Sequence, residues 1–361
     1  MAKIFYSMAG EGRGHAARVR AVVEQLRGEH QFVLFAPDQA YDFLAPRYPA
    51  GTPNVEVRRI PGLRFHYSGS RLNLWKTTWS GLGYLWQLPG LVGGLKQAIR
   101  NENPDLVLAD FEPALPRAAA GMRVPFISLN HQHFLVACDL SSLPSHLRQW
   151  ALVMKLAVKA HHSNQDQTIV SSFFKAPLRR KYAHVMQVGP LLRPELKHLQ
   201  PLAGDFILSY LRPNTPPHIL EALQHCNREV RVYGLGERPA AGNLRFRPLS
   251  EKSFGEDLAS CAALVGAAGN QSLGEALYFG KPVLALPEAD HHEQLINAHF
   301  LEQMQVGQWV TAEDARGTHV ASFMRKLDQF QEQALPFRGT LDGTQPAVMA
   351  IRNVLGGGPN V

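Results

Sequence analysis

Cysteine is nearly absent. Cys138, Cys226 and Cys261 are the only three in 361 residues, and no two lie close together. That excludes a disulfide-stapled scaffold and a structural zinc site, and it fits a reducing compartment. Charge is also sparse, at 19% against 45% hydrophobic residues; a disordered chain needs the opposite balance. No repeat of solenoid period is visible, and no recognisable nucleic-acid motif, so no nucleic-acid partner is expected. The opening MAKIFYSMAGEGRGH holds an apolar run too short for a signal peptide. The expectation is a cytoplasmic protein with apolar material for two or three domains.

One long stretch lacks charge, from Thr77 to Leu95. Its length is near the minimum for a membrane span, but Pro89 and five glycines (Gly81, Gly83, Gly90, Gly93, Gly94) argue against one. The plain reading is buried helices broken by a turn. The other is an apolar loop that touches lipid or a lipid-linked substrate.

The net charge of +7 is unevenly spread. Residues 1–195 carry 23 Lys/Arg against 13 Asp/Glu, and the remainder 14 against 17. A basic first half favours an anionic partner, such as an acidic ligand or an anionic membrane surface on the inner face of the membrane.

Apolar and amphipathic runs alternate from end to end. Strands are expected at Lys3–Ser7, Gln31–Ala36, Val55–Ile60, Leu106–Ala109, Pro125–Leu129, Thr168–Ser171 and Val185–Val188, with helices at His15–Arg27 and Leu147–Ala160. Short, wholly apolar strands of this kind are covered on both faces, as in a parallel sheet. Val188-Gly189-Pro190-Leu191-Leu192-Arg193-Pro194 reads as a connector. The pattern then restarts, with strands at Phe206–Tyr210, Val230–Tyr233, Leu244–Arg247, Ala263–Ala267 and Val283–Leu286. Helices fall at Pro217–Cys226, Ser253–Ser260, Gln271–Phe279, Glu293–Gln303 and Val320–Gln333. A last helix, Thr344–Leu355, is placed to cross back to the first domain, ahead of a loose tail. The expected domains are residues 1–188, 189–340 and a returning segment 341–361, an α/β organisation with parallel sheets.

Four places can carry chemistry. Ala9-Gly10-Glu11-Gly12-Arg13-Gly14-His15 follows the first strand and opens a helix. Gly12 and Gly14 let backbone approach a diphosphate at a helix N-terminus. His15 either caps the turn or acts as a general base. Asp110, at the end of strand Leu106–Ala109, can orient His15 and stabilise its charged form. Competing readings pair Asp110 with Glu112 as metal ligands, or make Glu112-Pro113 a helix start. Asn130-His131-Gln132-His133 follows another strand. A zinc site there lacks a third ligand, so His131 and His133 read as acceptor-pocket or polar edge residues. The fourth place is the run Val265–Pro287 with its continuation Asp290-His291-His292-Glu293-Gln294. A strand delivers a small-residue loop, and a helix opens at Asn270–Ser272 whose free amides can hold a diphosphate without a metal.

Residues 266–298 resemble the donor-binding signature of two-domain nucleotide-sugar glycosyltransferases with the B-type fold. The likeness is nearer to the family that includes the peptidoglycan lipid-intermediate N-acetylglucosaminyltransferase and its uncharacterised bacterial relatives. It spans nearly the whole chain and is most specific over 265–298. It implies two Rossmann-like β/α/β domains facing a cleft, and a metal-independent, inverting transfer from a nucleotide-diphosphate sugar, UDP favoured, with no further cofactor. With it, the basic, aromatic-rich first half suggests an anionic, amphipathic or lipid-linked acceptor. The resemblance assigns Gly269, Asn270, Gln271 and Ser272 to the diphosphate, with Arg212 neutralising a phosphate. Phe246, Arg247 and Leu249 go to the base, Glu275 to the ribose, and Asp290, Glu293 and Gln294 to the donor sugar. His15 becomes the base and Asp110 its support. Two departures bear on sugar and acceptor: Glu11 and Arg13 interrupt the glycine run, and Glu293-Gln294 stands where the peptidoglycan enzyme has Gln-Gln. Rival readings on the same fold are a nucleotide-sugar 2-epimerase, a non-catalytic nucleotide-sugar-binding subunit, and a metal-dependent transferase using Asp110 and Glu112.

Overall fold

The computed structural model describes residues 1–10, 13–62, 67–68, 71–72, 74–161 and 165–357; of 67–68, 71–72, 74–82 and 160–161 only the backbone is described. Gly12 and the tail beyond Gly357 lie outside these residues. The chain forms two compact units. One comprises Met1–His66, Asn73–Arg193 and Gly343–Val361, and the other Tyr67–Leu72 and Pro194–Asp342.

The first unit is built on a seven-stranded parallel sheet. Its strands are β1 (Lys3–Met8), β2 (Gln31–Ala36) and β3 (Val55–Arg59), then, after a small hairpin of β4 (Tyr67–Ser68) and β5 (Arg71–Leu72), β6 (Leu106–Asp110), β7 (Phe126–Asn130), β8 (Gln167–Ser171) and β9 (Met186–Val188). Their order is β3-β2-β1-β6-β7-β8-β9. Side chains alternate across a strand, and here both faces are apolar. Ile4, Tyr6 and Met8 join one core with Leu106 and Leu108, while Phe5 joins the other with Val107 and Ala109. Helix Arg13–Leu26 covers the first face and shares its core with Ala347, Val348 and Ile351 of the last helix, Thr344–Leu355. The chain re-enters this unit tightly. The Gly343 amide donates to the Pro190 carbonyl at 3.0 Å, and the Leu192 amide to the buried Thr344 hydroxyl at 3.0 Å.

The second unit holds β10 (Ile207–Tyr210), β11 (Val230–Tyr233), β12 (Leu244–Phe246), β13 (Ala263–Gly266), β14 (Val283–Ala285) and β15 (Gly307–Trp309), all parallel, in the order β12-β11-β10-β13-β14-β15. In each sheet the order reverses beside the unit's first strand, between β1 and β6 and between β10 and β13. Open parallel sheets bind ligands at the carboxyl ends of strands at that switch point.

Several elements differ from the sequence reading. The uncharged stretch is neither broken by a turn nor wholly buried. A single helix, Leu74–Glu102, runs through Pro89. Proline removes the bond to the Leu85 carbonyl, but Leu85 and Trp86 are 60% and 88% exposed, so water can take that carbonyl. Expected helix Val320–Gln333 is two, Gly317–Arg325 and Leu327–Ala334, parted at Lys326. Strand β15 was not expected; three residues are too short to show alternation. Its Gly307 lies so close to the Val283 carbonyl that a Cβ would collide with it.

Candidate functional site

In the first unit the strand ends at the switch point bring together three charged or titratable side chains. Helix Arg13–Leu26 starts two residues earlier than expected, so His15 is its third residue rather than its first. Its Nδ1 lies 2.9 Å from Asp110 Oδ1, and its side chain is 14% exposed. Asp110 ends β6 and is fully buried. The Ala9 amide donates to the Asp110 carbonyl at 2.9 Å, which ties the loop after β1 to the end of β6. The third group, Arg18, was not expected from the sequence. Its Nε donates to Asp110 Oδ2 and its Nη2 to Oδ1, both at 2.9 Å, and Nη2 lies 2.8 Å from His15 Nδ1. Three residues along a helix separate His15 from Arg18, which is the spacing that puts both on one face. Burial by itself raises the Asp110 carboxyl, but the Arg18 charge and the hydrogen bonds from His15 and Arg18 outweigh it and bring it down to about 2. Phe111, directly after, holds a left-handed backbone at φ 59°, a strained turn that points the chain away from the strand end.

Glu112 is occupied otherwise. Its two oxygens accept the Ala114 and Leu115 amides at 2.7 and 2.9 Å, capping helix Ala114–Met122, and Tyr84 donates to it at 3.3 Å. Burial raises its carboxyl above the ordinary range in spite of those bonds. Asp110 is committed to Arg18 and His15 and Glu112 to helix amides, so the pair is not arranged as a ligand pair.

His131 and His133, expected at an acceptor, are interior, at 0% and 3% exposed. His131 Nδ1 faces the Ser171 carbonyl at 3.1 Å, and its ring packs on Phe134 and Phe174. His133 Nδ1 sits 3.1 Å from Ser128 Oγ and 3.0 Å from Asn130 Nδ2. The run after β7 turns at once into helix Phe134–Ala137, which rolls both rings inward.

In the second unit all strands are parallel, so the ends of β10, β12, β13 and β14 share one edge. After β13 the loop Ala267–Gly269 opens helix Asn270–Tyr278, with Gly269 as its first residue outside. Asn297 Nδ2 donates to the Ala268 carbonyl at 2.9 Å and braces that loop. The Ser272 hydroxyl donates back to the Gly269 carbonyl at 3.0 Å, and Asn270 is buried. One turn on, Gln271 Nε2 donates to Glu275 Oε1 at 2.9 Å, with Glu275 buried. After β10, the Arg212 amide donates to Thr215 Oγ1 at 2.9 Å, and its half-exposed guanidinium donates to Glu288 Oε1 at 3.4 Å. Glu288 follows β14, and its amide donates to Gln294 Oε1 at 3.1 Å. Asp290 is exposed and Glu293 half-buried. Burial holds the neighbouring His291 below the ordinary imidazole range, against the opposing pull of Glu293 and Glu288. Phe246, Arg247 and Leu249 lie at the end of edge strand β12, with the Arg247 amide given to the Val232 carbonyl at 2.8 Å. Gly14 falls inside helix Arg13–Leu26, in the other unit. The sequence reading therefore missed Arg18, Glu288 and Asn297. Each had a positional signal: Arg18 three residues after His15, Glu288 just past a strand end, and Asn297 three residues after Gln294.

A family model described as glycosyl transferase family 1 matches residues 2–328. No curated protein sequence matches the chain. Several solved structures do. A UDP-glucosyltransferase from Polygonum tinctorium capable of glucosylating indoxyl, in complex with 3,4-dichloroaniline, is 14% identical over 99% of each chain, with a TM-score of 0.70. Acinetobacter baumannii MurG is 15% identical over 98% of this chain and all of its own, at 0.63. Arabidopsis thaliana UGT89C1, complexed with UDP-L-rhamnose, is 13% identical over 96% and 98%, also at 0.63. At such identities the likeness is one of fold: two Rossmann-like α/β domains of the B type.

Proposed function

Since the chain belongs to glycosyl transferase family 1, we propose that it moves a hexose or N-acetylhexosamine from a UDP-sugar to a hydroxyl of an amphipathic or lipid-linked acceptor, with inversion and without a metal. The observation that carries this reading is the 2.9 Å contact of His15 Nδ1 with Asp110 Oδ1 at the switch point of the first sheet. With Nδ1–H given to the carboxylate, Nε2 is the basic nitrogen. In the proposed step the acceptor oxygen attacks the anomeric carbon and its proton passes to His15 Nε2. The bond from that carbon to the diphosphate breaks, and the electron pair leaves with the diphosphate. The amides opening helix Asn270–Tyr278, with Ser272 and Arg212, offer the charge stabilisation a leaving diphosphate needs. Glu275 is the ribose partner. Gln294 and Glu293 read the sugar, Asp290 being the exposed carboxylate beside them. Backbone around Phe246, Arg247 and Leu249 meets the base.

The test is a thermal-shift panel of UDP-, TDP- and GDP-sugars with and without chelator, followed by UDP release in native protein and His15→Ala. A ligand at about 100 times its dissociation constant adds about 2.7 kcal/mol, which is easily seen. The expected result is a shift with a UDP-sugar that chelator leaves unchanged, and a 100-fold or greater loss of UDP release in His15→Ala with the shift intact. A shift without any turnover would favour a binding subunit, acceptor-free conversion of the sugar an epimerase, and loss in chelator the metal-dependent reading.

A second reading concerns where the acceptor lies. Helix Ser145–His161 exposes Leu152, Val153 and Leu156 at 66%, 67% and 69%. Burial and the charges of Arg179, Lys159 and Lys181 hold the Lys155 ammonium below its ordinary range, so three further cations gather around Lys155, on the helix that carries those apolar residues. Among the described residues no helix is long and apolar enough to cross a membrane. Exposed apolar side chains beside a basic cluster suit the surface of an anionic bilayer, and vesicle flotation tests this.

A further inference from the structure

A guanidinium stays charged at every accessible pH and cannot itself take a proton. Arg18 is nonetheless 4% exposed, and two of its nitrogens meet both oxygens of a fully buried carboxylate. Burying a charge is costly unless it is paired. Asp110 pairs Arg18, and Arg18 pairs Asp110, before His15 is counted. A histidine beside a lone buried carboxylate would gain a proton readily, because the imidazolium would be the only cation near that charge. Here the carboxylate charge is already balanced. A proton on His15 would give the three described side chains Asp110, Arg18 and His15 a net positive charge, with Arg18 Nη2 only 2.8 Å from Nδ1.

We propose that Arg18 is a positioning residue: it clamps Asp110 against His15 and offsets its charge, so that the imidazole stays uncharged and ready to accept a proton. The clamp is geometric as well as electrostatic. The planar fork engages Oδ1 and Oδ2 together, so the carboxylate cannot rotate, and Oδ1 stays at 2.9 Å from Nδ1. Among the described residues, groups from three elements bear on the cluster. They are Arg18 on the helix that carries His15, Asp110 from β6, and the buried phenol of Tyr6 from β1. That phenol, raised far above its ordinary range by burial and by the Asp110 charge, stays neutral. The inference rests on the reading of His15 as the base, but its first readout does not need that reading.

The first measurement is an NMR titration of His15 in native protein, Arg18→Met and Arg18→Lys, the resonance being assigned by its loss in His15→Gln. No substrate is required. In Arg18→Met the proton affinity of His15 should rise at least tenfold, since it becomes the sole cation beside Asp110. Arg18→Lys keeps the charge and should stay within threefold of native. The double variant Arg18→Met with Asp110→Asn removes both charges without adding one, so the interior stays neutral; His15 should return to within threefold of native there. The second measurement is UDP release. Arg18→Met should lose activity at neutral pH mainly in kcat, and regain part of it as the pH is raised, a recovery that a merely structural role would not give. An unchanged His15 titration in Arg18→Met would overturn the proposal. Native protein that shows the titration difference but releases no UDP would instead count against glycosyl transfer and leave the charge offset standing.

Discussion

Asp110 and Glu112 stand two residues apart with their carboxyl groups held in opposite directions, one down to about 2 and the other up. A carboxyl whose folded pKa lies below its unfolded value stabilises the fold above the unfolded value, and that stability is lost as pH falls through the folded one. For Asp110 the window runs from the ordinary 3.8 down to about 2, and the amount is about 2 kcal/mol. Glu112 has the reverse sign, so its protonation on acidification favours the fold. In urea unfolding, the stability difference between native protein and Asp110→Asn should therefore shrink by about 2 kcal/mol between pH 5 and pH 2. A difference independent of pH would show that Asp110 is not held ionised. The meeting of His15 with Asp110 was legible in the sequence because His15 opens the helix after one apolar strand and Asp110 ends another. Arg18 was not, since an arginine in an amphipathic helix usually faces water, and only its three-residue spacing from His15 hints otherwise. That the two histidines after β7 are interior was likewise not legible: residue type says nothing about which way a short turn will roll a ring.

At the scale of elements, caps decide where helices start. Both Glu112 oxygens accept amides at the head of helix Ala114–Met122. Glu112→Ala should cost about 1–2 kcal/mol, read as a lower urea midpoint at unchanged slope, a typical loss for a cap. A neutral outcome would mean that water replaces the carboxylate without penalty. Most strands were readable because they are short apolar runs between turns, and the parallel arrangement followed from their alternation with helices. What escaped was whatever depends on neighbours. Gly307 makes a strand only because β14 lies beside it. The helix through Pro89 survives because the freed carbonyl is on a wet side, which no local pattern records. Likewise Lys326 ends one helix and begins the next at φ −102°, ψ 8°, within a sequence whose apolar spacing looks continuous.

At the scale of the whole molecule, the basic surplus of the first half has a place. From Leu140 to Pro194 the one acidic residue is Asp166, among a run of lysines and arginines that includes the cluster around Lys155. Native protein should float with vesicles containing anionic lipid and remain behind with neutral ones, and Leu152→Glu with Leu156→Glu should abolish flotation while leaving the UDP-sugar thermal shift intact. Protein that stays in the soluble fraction with both vesicle types would remove the bilayer from the proposal. The path of the backbone has a different consequence. The first unit takes Ala347, Val348 and Ile351 into the core that it builds on β1 and β2, whereas the second unit is complete by Asp342. On the ribosome, the half that is made first therefore cannot close first. Its sheet must wait, with one apolar face only partly covered by helix Arg13–Leu26, while the whole of the second half is synthesised. Chaperone dependence during synthesis should accordingly belong to the amino-terminal half, and ease only when the last helix emerges.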